Sequence, residues 1–149
     1  MAAAAALEEI VRRAGDVGGR AHIYVALSTL KYLAMSGRVG HLAAGVGNLL
    51  SVKPILTLRD GKLDLLEKVR TRSKAWARVI ELTEKELAGR RLEQLAILHV
   101  CALEQAREFE QALRARIQCP QNAYYAELTP GLSVHSGSGV VGLAFVAGD

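Results

Sequence analysis

Apolar positions along the chain switch between helical and strand periods, and the switches divide it into elements. An Ala-rich segment, 3–14, places Leu7, Ile10, Val11 and Ala14 at helical spacing and is expected to close at Gly15 and the Gly18-Gly19 pair. The run 21–27 is β-branched and aromatic and predicts a strand. Ser28 is placed to cap a short helix with Leu30, Leu33 and Ala34 inward and Gly37 as its stop. A second short helix is expected over 39–50, through Leu42, Val46, Leu49 and Leu50. Pro54 then forces the chain into an extended segment, and Asp60-Gly61 between two apolar runs predicts a tight hairpin to a strand near 62–69.

Thr71 or Ser73 caps a long helix over about 73–88, striped by Trp76, Ile80, Thr83 and Leu87. The continuous apolar run 95–100 reads as a strand covered on both faces. Leu103, Ala106, Phe109, Leu113 and Ile117 mark a further amphipathic helix, and strands follow at 122–128 and 140–146, joined by a loop. Strands alternating with helices predict an α/β (α+β) fold, a mixed β-sheet layered with helices, in one domain over 1–149.

Composition agrees with a globular domain. Half of the 149 residues are apolar and the net charge is only +4, which excludes disorder, and no stretch of about twenty residues lacks charge, which argues against a membrane span. Cys101 and Cys119 form no CxxC pair, fitting reduced thiols and a cytoplasmic setting, and no His or Cys spacing resembles a metal site.

Three places could carry chemistry. In the turn Met35-Ser36-Gly37-Arg38-Val39, Arg38 can meet an anion beside helix N-terminal amides, although spacing alone favours a helix cap followed by a surface arginine. The segment 129–139 is dense in glycine and hydroxyls around His135; it either bares amides to a ligand or is a flexible connection with an exposed histidine. It lacks the spacing of a P-loop or a dinucleotide fingerprint. The stretch Lys68-Val69-Arg70-Thr71-Arg72-Ser73-Lys74 is a docking patch for an anionic group or, more simply, a solvated face. Nucleic-acid binding stays open as a minor alternative, since only Trp76 is near for stacking. His99 ends a buried strand and reads as structural.

Five segments in this order resemble the C-terminal half of the DegV family of bacterial fatty-acid-binding proteins. They are Thr29 to Leu33 running into Ser36-Gly37-Arg38-Val39, then Leu49 to Leu56, Asp60-Gly61-Lys62, Glu67 to Arg72, and Val134-His135-Ser136-Gly137-Ser138-Gly139. The resemblance implies a non-enzymatic module that holds a long-chain fatty acid, without other cofactor, and presents its carboxylate to a fatty-acid kinase for phospholipid synthesis. It places Arg38, His135 and Ser136 in the polar network around the carboxylate, and kinase or phosphate docking at Arg70 and Arg72. Ser36, Ser136 and Ser138 depart from the family pattern, which has glycine, threonine and proline there. The family's N-terminal domain, which supplies hydroxyls to the carboxylate, is expected to be absent, with residues 1–19 forming the helix that enters this domain. A homodimer through the face that domain would cover, or an interaction protein that kept the fold without the lipid, are the further expectations.

Overall fold

The computed structural model describes residues 7–37 and 51–148. Arg38 and the helix expected over 39–50 therefore lie outside the described residues. Among the described residues, eleven elements run in the order α1 (Leu7–Arg20), β1 (Ala21–Ala26), α2 (Lys31–Met35), β2 (Lys53–Arg59), β3 (Lys62–Val69), α3 (Arg72–Leu87), β4 (Leu92–His99), α4 (Leu103–Arg114), β5 (Tyr124–Glu127), α5 (Pro130–Ser136) and β6 (Val141–Ala147). The strands form one mixed sheet in the order β3-β2-β1-β6-β4-β5. Neighbours are antiparallel except β4 and β5, which are parallel and joined through α4, as a parallel pair requires.

The hairpin between β2 and β3 forms where expected. Arg59 pairs with Lys62, and Asp60 and Gly61 have φ of 50° and 71°, the left-handed pair of a tight hairpin turn whose twist matches the strands. Thr71, rather than Ser73, caps α3, its Oγ1 accepting from the Lys74 amide at 3.3 Å.

The two faces of the sheet are built differently. One is solid: Tyr24, Ile55, Leu95, Ile97, Leu143 and Phe145 pack against α3 and α4, which contribute Val79, Ile80, Phe109 and Leu113. The other carries a smaller cluster around Leu27, Leu30, Leu33, Leu56, Val100 and Val140, with Val25, Leu63, Leu65 and Leu128 partly buried against it. β6 explains the difference. Val141, Leu143 and Phe145 fill the helix-covered face, while Gly142, opposite Val25 and Leu98, and Ala144, opposite Ile23 and Ala96, leave the second face shallow.

Gly142 also allows the backbones to approach, because a Cβ there would stand 2.3 Å from the Tyr24 carbonyl oxygen and 2.6 Å from Val25 Cα. Gly142→Ala is expected to destabilise the fold by about 1–3 kcal/mol, the usual cost of overpacking, as a lowered urea midpoint with unchanged slope.

Three expectations are corrected. α1 does not close at Gly15 or Gly18-Gly19; it runs through them to Arg20. Each glycine costs roughly 1 kcal/mol relative to alanine in a helix interior. Tertiary contacts offset that: the Arg20 guanidinium donates to Asp16 at 2.8 Å, to Glu93 at 2.8 Å and to the Ala147 carbonyl at 2.7 Å, tying the last turn to the sheet. Ser28 does not cap α2. The residue before that helix is Leu30, which makes no side-chain cap, and the Ser28 hydroxyl donates to the Ser138 carbonyl at 3.1 Å. The segment 129–139 is not a plain loop, since residues 130–136 form α5, with Pro130 at its start and Gly137, at φ 76°, as its stop.

Candidate functional site

The shallow face of the sheet, α2 and α5 enclose a cavity of about 310 Å³. Alternate positions of β1 (Ile23, Val25), Leu56 of β2, Leu63 of β3 and Leu98 of β4 supply its apolar walls, and Leu132 of α5 closes over it. Among the described residues, no Asp, Glu, Lys or Arg lines it. Its polar side chains are Thr57, His135 and Ser136. The Thr57 hydroxyl is already satisfied, donating to the Ile23 carbonyl at 2.8 Å. That of Ser136 reaches only the Ser133 carbonyl, at 3.5 Å, a weak bond that leaves it ready to reorient. His135 Nδ1 is buried and has no hydrogen-bond partner among the described residues. A buried polar nitrogen ordinarily has a partner, so an unsatisfied one beside an apolar cavity fits a ligand's polar end.

His135 and Ser136 hold their places because α5 is locked at both ends. Thr129 and Pro130 begin it, with the Leu132 and Ser133 amides donating to the Thr129 carbonyl at 2.9 Å each. At its far end Gly137 lies against the Tyr32 ring of α2, where a Cβ would stand 2.4 Å from two ring carbons.

The residues singled out in the sequence are thus only partly gathered together. His135 and Ser136 share the cavity, and Arg38 lies outside the described residues. Arg70 is exposed between β3 and α3; Arg72 opens α3 and stacks over Trp76, 5.0 Å from the ring centroid, away from the His135 cavity. Lys68, Arg70, Arg72 and Lys74 are all exposed, as a solvated face requires. On α3, Glu81 and Glu84 pair with Arg78 at 2.8 Å and Arg116 at 2.6 Å. His99 is buried, 6% exposed, at the end of β4. The walls Ile23, Val25, Leu63 and Leu98 carry no local sequence signal that marks them as site residues. Ile23, Val25 and Leu98 stand opposite the small residues Ala144 and Gly142 across the sheet, and Leu63 stands opposite Leu58.

The chain matches the sequence profile of the DegV family, described as uncharacterised, over residues 1–148. It belongs to the DegV family. A DegV domain-containing protein of Mycobacterium tuberculosis is 35% identical over 142 residues, covering 95% of this chain and 50% of the relative. The crystal structure of a DegV family protein from Corynebacterium glutamicum superposes with a TM-score of 0.86 at 30% identity, covering 97% of this chain and 55% of that one. A fatty acid binding DegV family protein from Streptococcus agalactiae gives a TM-score of 0.81 at 26% identity, over 97% of this chain and 50% of that one. The chain thus spans about half the length of these DegV proteins. Among the described residues no helix is long and apolar enough to cross a membrane.

One titration is set by the DegV core itself. The buried Tyr24 hydroxyl donates to Glu86 at 3.2 Å, and burial first, then the Glu86 charge, pushes its pKa up to about 12. A raised pKa contributes stability that is complete below the unfolded value near 10 and is lost as pH climbs toward 12. Urea midpoints are therefore expected to fall between pH 9 and pH 11, and Tyr24→Phe to fall less steeply. Tyr125, raised to about 12 by burial and then by Glu110, keeps part of the slope in that variant.

Proposed function

We propose that this chain forms one half of a fatty-acid site. The acyl chain lies in the apolar cavity against the shallow face, and the carboxylate is held by His135 and Ser136, with Arg38 as the paired cation. The observation that carries this reading is the buried Nδ1 of His135, unpartnered among the described residues, beside a cavity to which those residues contribute no charged side chain. The fatty acid binding of the Streptococcus agalactiae protein supports it. The cavity, about 310 Å³, is at the small end of ligand sites, so a long chain would extend beyond it toward a covering surface. In this reading the protein binds and presents rather than catalyses, handing the carboxylate to a fatty-acid kinase that docks on Arg70.

Native mass spectrometry of purified protein, followed by titration with palmitate, tests it. One bound fatty acid per site is expected, with affinity lowered by about tenfold or more in His135→Ala and in Arg38→Ala, the scale of a hydrogen bond or ion pair to a charged group. Absence of palmitate binding, or wild-type affinity in both variants, would sink the proposal.

Self-association is a second reading, favoured by α1. Leu7 and Val11 on that helix are 72% and 63% exposed, and none of its residues is buried. Light scattering after gel filtration is expected to give a dimer that Val11→Glu splits; a monomer at all concentrations would reject it.

A further inference from the structure

A second cavity, of about 330 Å³, lies on the other side of Leu27 and has the opposite character. Ser28 after β1, Lys53 at the start of β2, Gly139 before β6 and Arg72, Ala75 and Trp76 of α3 border it. Among the described residues, two cations and no carboxylate line this cavity. The Lys53 ammonium donates to the Ser28 carbonyl at 2.7 Å, which fixes it while using one of three donors. Arg72 is fixed differently, its guanidinium stacked over the Trp76 ring at 5.0 Å, a contact that leaves the N–H edges available.

The contrast with other arginines is informative. Arg78, Arg114 and Arg116 each meet a glutamate, at 2.7, 2.7 and 2.6 Å. Among the described residues neither Lys53 nor Arg72 has such a partner. Two fixed positive charges sharing one concave space raise its potential, and an anion of charge near −2 would neutralise them. A guanidinium edge and an ammonium together suit several acceptor oxygens on one centre better than a single carboxylate. Space is kept by Gly139, at φ 78°, where a Cβ would stand 2.7 Å from Ser28 Oγ.

We propose that this cavity binds a phosphoryl dianion, with Lys53 and Arg72 as the clamp. The inference narrows the anion docking expected at Arg72 to a cavity it shares with Lys53, and it does not depend on fatty-acid binding. Leu27 borders both cavities, so the phosphoryl group could belong either to free phosphate or to a long-chain phosphate ester reaching over from the apolar side.

Calorimetric titrations of the chain with inorganic phosphate and with dodecyl phosphate test the site. Saturable binding of one phosphate per chain is expected, weakened about tenfold or more in Lys53→Met and in Arg72→Gln, while palmitate affinity in Arg72→Gln stays at the wild-type value. Dodecyl phosphate that displaces inorganic phosphate and binds more tightly assigns the site to an ester; equal or weaker binding assigns it to free phosphate. A thermal melt monitors folding in each variant, and the exposed Arg72 keeps the test decisive where Lys53→Met melts early. No saturable binding of either phosphate, or unchanged affinity in a folded Arg72→Gln variant, overturns the proposal.

Discussion

Phe109→Ala is expected to lower the unfolding free energy by about 3–5 kcal/mol, the largest stability loss of any substitution considered. The side chain is completely buried at the centre of the helix-covered face and meets Trp76 edge-on, with ring centroids 5.8 Å apart. Removing it opens a void between α3, α4 and the sheet, and it takes away an aromatic pair that contributes about 0.5–1.5 kcal/mol beyond its buried area. A chain of this size has a total stability of roughly 5–15 kcal/mol, so the loss is a large share of it. Urea denaturation followed by circular dichroism measures the difference. A loss below about 1 kcal/mol would show that α4 collapses onto the sheet without strain.

Leu63→Asp is expected to have the largest effect on ligand binding. Leu63 lies on the edge strand β3, opposite Leu58, is only partly buried, and lines the apolar cavity. Its edge position lets a carboxylate reach water, so folding is largely spared. The same carboxylate removes apolar contact from an acyl chain and repels a ligand of its own sign. Losing the burial of a leucine costs about 1.5–3 kcal/mol, so palmitate affinity should fall by about tenfold to a hundredfold. Leu63→Met, which keeps apolar volume, should bind close to the wild type. Equal affinity in the two variants would place the acyl chain elsewhere.

The elements that sequence pattern captured are those whose signal is local. Asp60-Gly61 needs only its own backbone to turn, and the stripe of Ala106, Phe109 and Leu113 needs only one buried side to be a helix. α1 was cut short because its glycines carry a local helix penalty, whereas Arg20 is held by Glu93 and by the Ala147 carbonyl, more than seventy residues away in the chain. α5 was missed because Thr129-Pro130-Gly131 has the composition of a turn, although proline at the first helical position and glycine after the last are also a short helix's signature.

His135 and Ser136 were legible as candidates, yet the cavity beside them was not. It is lined by residues of β1, β2, β3, β4 and α5, brought together only by the folded sheet, and no single segment carries that information. Lys53 escaped notice for the same reason: it meets Ser28 and the Arg72 cavity only once β1 and β2 are paired.

The alternation of large and small residues in β6 separates two kinds of selection along a single strand. Val141, Leu143 and Phe145 answer to the helix core, and changes there are felt as folding defects. Ala144 answers to the opposite face, where it borders a separate hollow with Ala96 and Tyr124, and a bulkier residue there would leave α3 and α4 undisturbed. Homologues of this chain can therefore reshape the open face of the sheet through every second position of one strand, without renegotiating the framework that holds it.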